Sequence, residues 1–333
     1  MKIIAVLGAG GWGTALALLL HGNGHCVRLW EFFPERALKL QRTRENASFL
    51  PGVSIPQKIA ITNYVHEALD EASMIVFAVP SHVLRDVAKL ASPYLKGSLI
   101  SVNVAKGLEG KTLKRMSQVL QEELPPNTEI ATLSGPSHAE EVSRGIPTAV
   151  TVASPHENLN NHIQKVFMSR HFRVYTNDDI VGVELAGSLK NVVAIAAGIC
   201  DGLKYGDNTK GALLTRGLAE MSRLGIAMGA RAQTFAGLSG MGDLVTTCVS
   251  KHSRNRYVGE QIGKGKKLNQ VLSHMEMVAE GVNTTRSARL LAEKKSVEMP
   301  ITEQVYQVLF ADKDPRKAVN DLMHRGAKAE IWW

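Results

Sequence analysis

The sequence predicts an α/β protein, in which a domain built on a mainly parallel sheet precedes an all-α domain. Three observations predict it. Short apolar runs alternate with helical stretches as far as Tyr175, a glycine-rich turn joins the first run to the first helix, and beyond Thr176 strand-like runs become scarce while the apolar spacing turns helical. At 333 residues the chain exceeds one typical compact core and is expected to form two domains, 1–179 and 180–333.

Ile3–Leu7 is an apolar run ending at glycine, the pattern of a buried strand, and the Ala- and Leu-rich stretch 14–21 follows it as a helix. Strands are expected next at 26–30, 59–62, 74–79, 99–104, 130–133, 148–152 and 172–175. Helices are expected between them at 65–69, 82–95, 113–123 and 157–168. Asn177-Asp178-Asp179 supplies a helix start. After it, helical spacing recurs at 180–200, 210–228, 256–263, 269–274, 283–294, 301–310 and 315–322.

Composition narrows the function classes. Hydrophobic residues (44%) recur throughout, which excludes disorder over most of the length. The net charge is +8, but Lys and Arg are scattered; their densest clusters, 251–256 and 264–267, are too short for a nucleic-acid tail. Cys26, Cys200 and Cys248 lie far apart with no CxxC, which fits a reducing compartment and neither zinc nor a disulfide framework. No HExxH or GxSxG occurs, so neither a metal site nor serine hydrolysis is indicated. The first seven residues run into a glycine turn rather than a cleavage site. The most apolar stretch, 181–200, carries Glu184, Lys190 and Asn191 and reads as a buried helix rather than a membrane span. A cytoplasmic protein is expected, with no nucleic-acid partner and no stable membrane insertion.

Gly8-Ala9-Gly10-Gly11-Trp12-Gly13 is G-x-G-x-x-G placed between a predicted strand and a predicted helix. In that context it marks a Rossmann-like dinucleotide site: Gly8 for the tight turn, Gly10 for approach of a pyrophosphate, Gly13 for close helix–strand packing. Amides at the helix N-terminus would meet the phosphates. Glu31 ends the second strand, where an acid accepts hydrogen bonds from the ribose hydroxyls and repels a 2′-phosphate. NAD is therefore favoured over NADP, although Arg36 lies close enough to reverse the preference. The bland alternatives are a ligand-free turn and a solvated glutamate.

In open parallel sheets ligands bind beyond the carboxyl ends of the strands. Ser81, Lys106 and Ser134 to His138 fall at such ends. Lys190 stands in an otherwise apolar helix, where burying an ammonium is costly and lowers its pKa toward neutrality. The competing reading is a lysine that snorkels to the surface or pairs with Glu184. Asp243 is expected in a glycine-rich turn, Gly240-Met241-Gly242-Asp243-Leu244, where it either orients a lysine or a substrate hydroxyl or caps a helix. Ser253-Arg254-Asn255-Arg256 is either a phosphate fork or a solvated charge run.

Together these segments, with Ala78 to Ser81, Lys106 to Glu109, Ser134 to Ala139, Glu184 to Asn191, Glu280-Gly281 and Met299 to Ile301, resemble the bacterial NAD(P)-dependent glycerol-3-phosphate dehydrogenase family over essentially the whole chain. The resemblance implies that Lys190 is the catalytic proton donor and acceptor. It implies substrate contacts at Lys106, Gly135, Ser137, Lys190, Asp243, Ser253, Arg254 and Asn255. It implies cofactor contacts at Gly11, Trp12, Lys106, Ala139, Arg254, Val278 and Glu280, beside Gly8, Gly10, Gly13 and Glu31 from the dinucleotide motif. It further implies reduction of dihydroxyacetone phosphate to sn-glycerol 3-phosphate with NAD(P)H, a homodimer, and a product that feeds glycerophospholipid synthesis. Asp243 and Asn191 are the expected orienters of Lys190.

Gly11 departs from the serine frequent in relatives, and Glu31-Phe32 from those carrying a basic residue there. Three other readings stand beside this one: a related 6-phosphogluconate or 2-hydroxyacid dehydrogenase, a non-catalytic NAD-binding redox sensor, and an oligomeric scaffold built on the helical half. At the end of the chain, Trp332 and Trp333 either pack on the protein or meet a partner.

Overall fold

The computed structural model describes residues 2–95, 97, 99–327 and 329–330; Trp332 and Trp333 lie outside the described residues. Among the described residues ten strands form: β1 Ile3–Leu7, β2 Cys26–Trp30, β3 Glu45–Asn46, β4 Leu50–Ser54, β5 Ala60–Thr62, β6 Met74–Phe77, β7 Leu99–Asn103, β8 Thr128–Ser134, β9 Thr148–Ala153 and β10 Phe172–Asn177. Eight make one sheet in the order β10-β9-β8-β7-β6-β1-β2-β5, and β3 and β4 pair separately. All neighbours in the large sheet are parallel except β8 and β9. The sheet is thus mainly parallel, with β9 and β10 reversed.

Register positions the site. Leu7 pairs with both Trp30 and Phe77, Phe77 with Asn103, and Asn103 with Thr132. The segments leaving β1, β2, β6, β7 and β8 therefore emerge along one edge. Alternate residues face opposite sides, as strand geometry requires. Ile4, Val6 and Val76 join one core with Leu16 and Leu20 of the helix Gly11–Gly22. Ala5, Leu7, Ile75 and Phe77 join the other, with Leu84 and Leu120. Both faces are covered, which is why these strands read as continuous apolar runs.

The second half is helical. Asp179 caps the helix Ile180–Gly202, its carboxylate accepting the Gly182 amide at 2.8 Å. Every residue from Gly182 to Cys200 in that helix is buried, so its high hydropathy reflects a core helix. The helix Arg254–Gly263 crosses it at very short range. A Cβ at Gly259 would collide with the Ile195 carbonyl, and one at Gly198 with that of Arg256. Only glycine allows this approach of two backbones.

The structure adds elements absent from the sequence-based expectation: the helix Pro34–Thr43, the β3–β4 hairpin, and short helices at Ala139–Val142 and Ala232–Ala236. One expectation is corrected. Gly240-Met241-Gly242 is not a turn but part of a π-helical segment, Leu238–Gly242, that runs straight into the helix Asp243–Val249. A glycine-rich sequence reads as a break, yet here Gly240 is buried so tightly that a Cβ would strike the Phe235 backbone.

Candidate active site

A cleft of about 720 Å³ runs along the carboxyl edge of the sheet and beneath the helical half. One end is made by the glycine loop. Gly8 has φ +113°, and a Cβ there would lie 2.7 Å from the Ala78 carbonyl oxygen. Gly10 faces open space, whereas a Cβ at Gly13 would collide with the Gly8 carbonyl oxygen. Gly8 and Gly13 thus meet close backbone contacts that a side chain would break, and Gly10 leaves open space beside the first turn of the helix Gly11–Gly22. Asn46 fastens the loop from behind, its amide donating to the Ala9 carbonyl and to Thr14 Oγ1, both at 2.8 Å. Gly11 has a local cause too: a Cβ there would lie 2.7 Å from the Phe49 carbonyl oxygen, so a serine would require the segment before β4 to move.

Glu31 follows β2 at this end and is 4% exposed. Its carboxylate accepts the Phe33 amide at 3.1 Å and lies 3.3 Å from the Arg36 guanidinium. Burial raises its pKa; the Phe33 amide and Arg36 oppose that. These residues fit the pyrophosphate and adenosine ribose of a dinucleotide.

At the other end sits a buried charge cluster. Lys190 projects from the middle of the helix Ile180–Gly202 and is 6% exposed. Its Nζ donates to Asp243 Oδ1 at 2.9 Å and to Thr247 Oγ1 at 2.5 Å. Asp243 Oδ2 accepts Lys106 Nζ at 2.7 Å, and the same ammonium donates to the Gly135 carbonyl at 2.9 Å. One carboxylate therefore holds two lysines. Burial brings the Lys190 pKa down to about 8, Asp243 resisting the shift and Lys106 adding to it. Burial pushes Asp243 up, but the two ammonium groups outweigh it and hold the carboxyl below its usual range. His138 lies in the cleft wall with its pKa lowered, first by burial and then by Lys190 and Lys106.

The pairing of Lys190 with Glu184 is overturned. Glu184 is buried elsewhere, accepting Ser117 N, Ser117 Oγ and Arg115 Nη1 at 2.8, 2.6 and 2.6 Å. Asn191 does not orient Lys190 either. Its side chain accepts Asn255 Nδ2 at 2.8 Å and donates to the Gly187 carbonyl at 3.4 Å. The missing partner is Thr247, one helical turn after Asp243, for which a lone threonine in a short helix carried no signal.

Of the other expected residues, Gly8, Gly10, Gly11, Trp12, Glu31, Lys106, Ser137, Ala139, Ser253, Arg254, Asn255, Val278 and Glu280 all line the cleft, together with Lys190 and Asp243. Gly13 and Gly135 stand behind it as supports. Ser253 caps the helix Arg254–Gly263 through the Arg256 amide, and the exposed Arg254 donates to the Val278 carbonyl at 2.9 Å. Asn255 accepts the Gly281 amide at 2.8 Å, so its side chain ties two helices to Asn191. Glu280 reaches back to the first half, taking Ser81 N and Ser81 Oγ at 2.8 and 2.5 Å.

The fold and the cleft define the class: a two-part dehydrogenase with a Rossmann-like half and a helical half. Family models described as the N-terminus and the C-terminus of NAD-dependent glycerol-3-phosphate dehydrogenase match residues 3–160 and 179–320. The chain is 55% identical to glycerol-3-phosphate dehydrogenase [NAD(P)+] of Pelotomaculum thermopropionicum over 98% of this chain and 95% of that one. It is 50% identical to the enzyme so described from Fusobacterium nucleatum, covering 99% of each. The crystal structure of glycerol-3-phosphate dehydrogenase from Coxiella burnetii superposes with a TM-score of 0.94 at 39% identity, covering 97% of this chain and 99% of that one. The chain belongs to the NAD-dependent glycerol-3-phosphate dehydrogenase family.

Proposed function

We propose that this protein reduces dihydroxyacetone phosphate to sn-glycerol 3-phosphate, reversibly, with residues 1–179 holding NAD(P)H and residues 180–333 supplying the acid–base group. The observation that carries the reading is the Lys190–Asp243–Lys106 cluster facing the glycine loop across one cleft. When bound, the nicotinamide supplies the hydride for the C2 carbonyl. Lys190 Nζ donates a proton to the developing C2 alkoxide and takes it back in the reverse direction; a pKa near 8 suits both. Asp243 holds Lys190 with one oxygen and Lys106 with the other, so both ammonium groups are aimed before substrate arrives. Lys106, Ser137 and the Gly135 segment line one side of the substrate. Arg254, with Ser253 and Asn255 at the start of its helix, offers a charged fork and polar donors to the phosphate. Lys106 and Arg254 border both ligands, and Ala139, Val278 and Glu280 border the cofactor. A cytoplasmic homodimer supplying glycerophospholipid synthesis completes the proposal.

NADH oxidation with dihydroxyacetone phosphate, against 6-phosphogluconate with NAD(P)+ as control, tests it. Rapid turnover of the triose phosphate alone is expected. Turnover of 6-phosphogluconate, or of neither while NADH still binds, would sink the substrate assignment.

A further inference from the structure

The adenosine end of the cleft carries one more charged group with an unusual set of neighbours. Arg36, in the first turn of the helix Pro34–Thr43, lies in the cleft wall with its side chain 37% exposed. Its guanidinium stacks over the Phe49 ring at 4.3 Å and stands 5.7 Å from the Phe33 ring. One Nη also reaches Glu31 Oε2 at 3.3 Å. Phe32 and Phe33 are more than half exposed and line the same wall, which leaves apolar ring surface at the cleft mouth for a planar base. Glu31 has a second, independent tie to the Phe33 amide, so it stays in place whether or not Arg36 holds it. Among the described residues the Arg36 side chain meets two ring faces and one long ion pair, contacts that an exposed guanidinium gives up for a phosphate at modest cost.

We propose that Arg36 is a specificity-determining residue for the cofactor: seated on Glu31 it leaves the site selective for an unphosphorylated ribose, and released from Glu31 it is the group that admits a 2′-phosphate. The proposal rests on the dinucleotide reading above. A carboxylate at the end of β2 serves ribose hydroxyls and repels a phosphate dianion. The nearby guanidinium is the fork that dianion would need. Glu31 and the 2′-phosphate therefore compete for one cation. The two halves of the ion pair then push selectivity in opposite directions, whereas a pair serving only to brace the loop would move both variants the same way.

The experiment is fluorescence titration of the full chain with NADH and with NADPH, with 5′-ADP and 2′,5′-ADP as competing probes. It needs no turnover. The wild type is expected to favour NADH. Arg36→Ala is expected to lower the NADPH-to-NADH affinity ratio at least ten-fold, and Glu31→Gln to raise it at least ten-fold, with 2′,5′-ADP following NADPH. Thermal midpoints check that each variant is folded, and Arg36→Lys, which keeps charge on an exposed stem, is expected to fall between Arg36→Ala and wild type. Ratios that stay within three-fold, or that move in the same direction in both variants, overturn the proposal. A wild type that binds neither nucleotide overturns the dinucleotide reading and this proposal with it; one that binds both but turns over no triose phosphate leaves the binding test intact.

Discussion

The two ends of the cleft are built by opposite means. At the glycine loop the working surface is backbone from six consecutive residues, shaped by what is missing: Cβ atoms that would strike Ala78 or Gly8. At the lysine end it is side chains from residues 106, 190, 243 and 247, drawn from both halves of the molecule and held by one carboxylate. The first end tolerates no added atom at Gly8, Gly11 or Gly13. The second tolerates no lost charge. A shape-built site should therefore fail in binding and folding, and a charge-built site in chemistry, and that contrast can be broken by measurement.

The largest effect is expected at Lys190. Lys190→Ala should lower turnover by roughly 10²–10⁴, the usual worth of a positioned acid–base group, while NADH affinity stays within a few-fold. Steady-state rates and nucleotide titration on the same variant separate the two quantities. Near-wild-type turnover would remove Lys190 from its role, and a parallel loss of NADH binding would erase the distinction between the ends. Gly13→Ala is the mirror experiment. Its methyl group has nowhere to go but into the Gly8 carbonyl, so the helix Gly11–Gly22 must shift off β1. A destabilisation of about 1–3 kcal/mol is expected from overpacking, with dinucleotide affinity lost in proportion. Denaturant unfolding with and without NADH reads both; a variant that binds normally would show the loop to be softer than its packing.

A subtler effect follows from the pKa of Lys190. It is a protonated acid in reduction and a neutral base in oxidation, with its pKa lowered to about 8 by burial. kcat/KM for reduction of the ketone should thus fall as pH rises through about 8, and that for oxidation of the alcohol should rise through the same point. Thr247 Oγ1 accepts from the charged ammonium and favours it. Thr247→Val should move both limbs to lower pH. Limbs that stay in place would mean that Thr247 has no part in setting the Lys190 pKa, which burial, Asp243 and Lys106 then govern.

The same contrast explains what the sequence disclosed. The glycine loop was legible because its function is written in consecutive residues after a strand. Lys190 was legible because a lysine among Leu, Val and Ala has no cheap structural excuse. Its partner was harder. Glu184 is 6 positions away in the same helix and Asp243 is 53, and only the tertiary fold shows that Arg115 has already claimed the nearer acid. The helix Asp243–Val249 hid behind glycines that usually break helices, so Thr247 lost its context. The helix Pro34–Thr43 and the β3–β4 hairpin escaped for another reason: they are short, polar connections whose order depends on tertiary packing, the helix against β5 and β3 and the hairpin against the glycine loop, and they brought Arg36 and Phe49 to the adenosine end.

The last effect sharpens the comparison through a buried acid that, among the described residues, makes no direct lysine contact. Asp243 and Glu220 are both 2% exposed. Two ammonium groups hold Asp243 below its ordinary range, whereas burial pushes Glu220 up to about 7, against the opposing hydrogen bonds it accepts from the Ile301 and Thr302 amides at 2.6 and 3.2 Å. The sign is set by proton uptake. From about pH 4.5 to about 7 the folded chain keeps the Glu220 proton while the unfolded chain releases it. Its contribution is therefore complete below the unfolded value and is lost as pH rises through the folded one. At 1.36 kcal/mol per unit, the upper bound is on the order of 3 kcal/mol. Glu220→Gln should flatten the decline in unfolding free energy across that window, whatever it does to the absolute value, because the amide cannot ionise. An unchanged slope would mean that the two backbone amides at the start of the helix Pro300–Phe310, with the Thr302 hydroxyl and the nearby Arg223 charge, already hold the carboxylate as an anion, as two lysines do for Asp243.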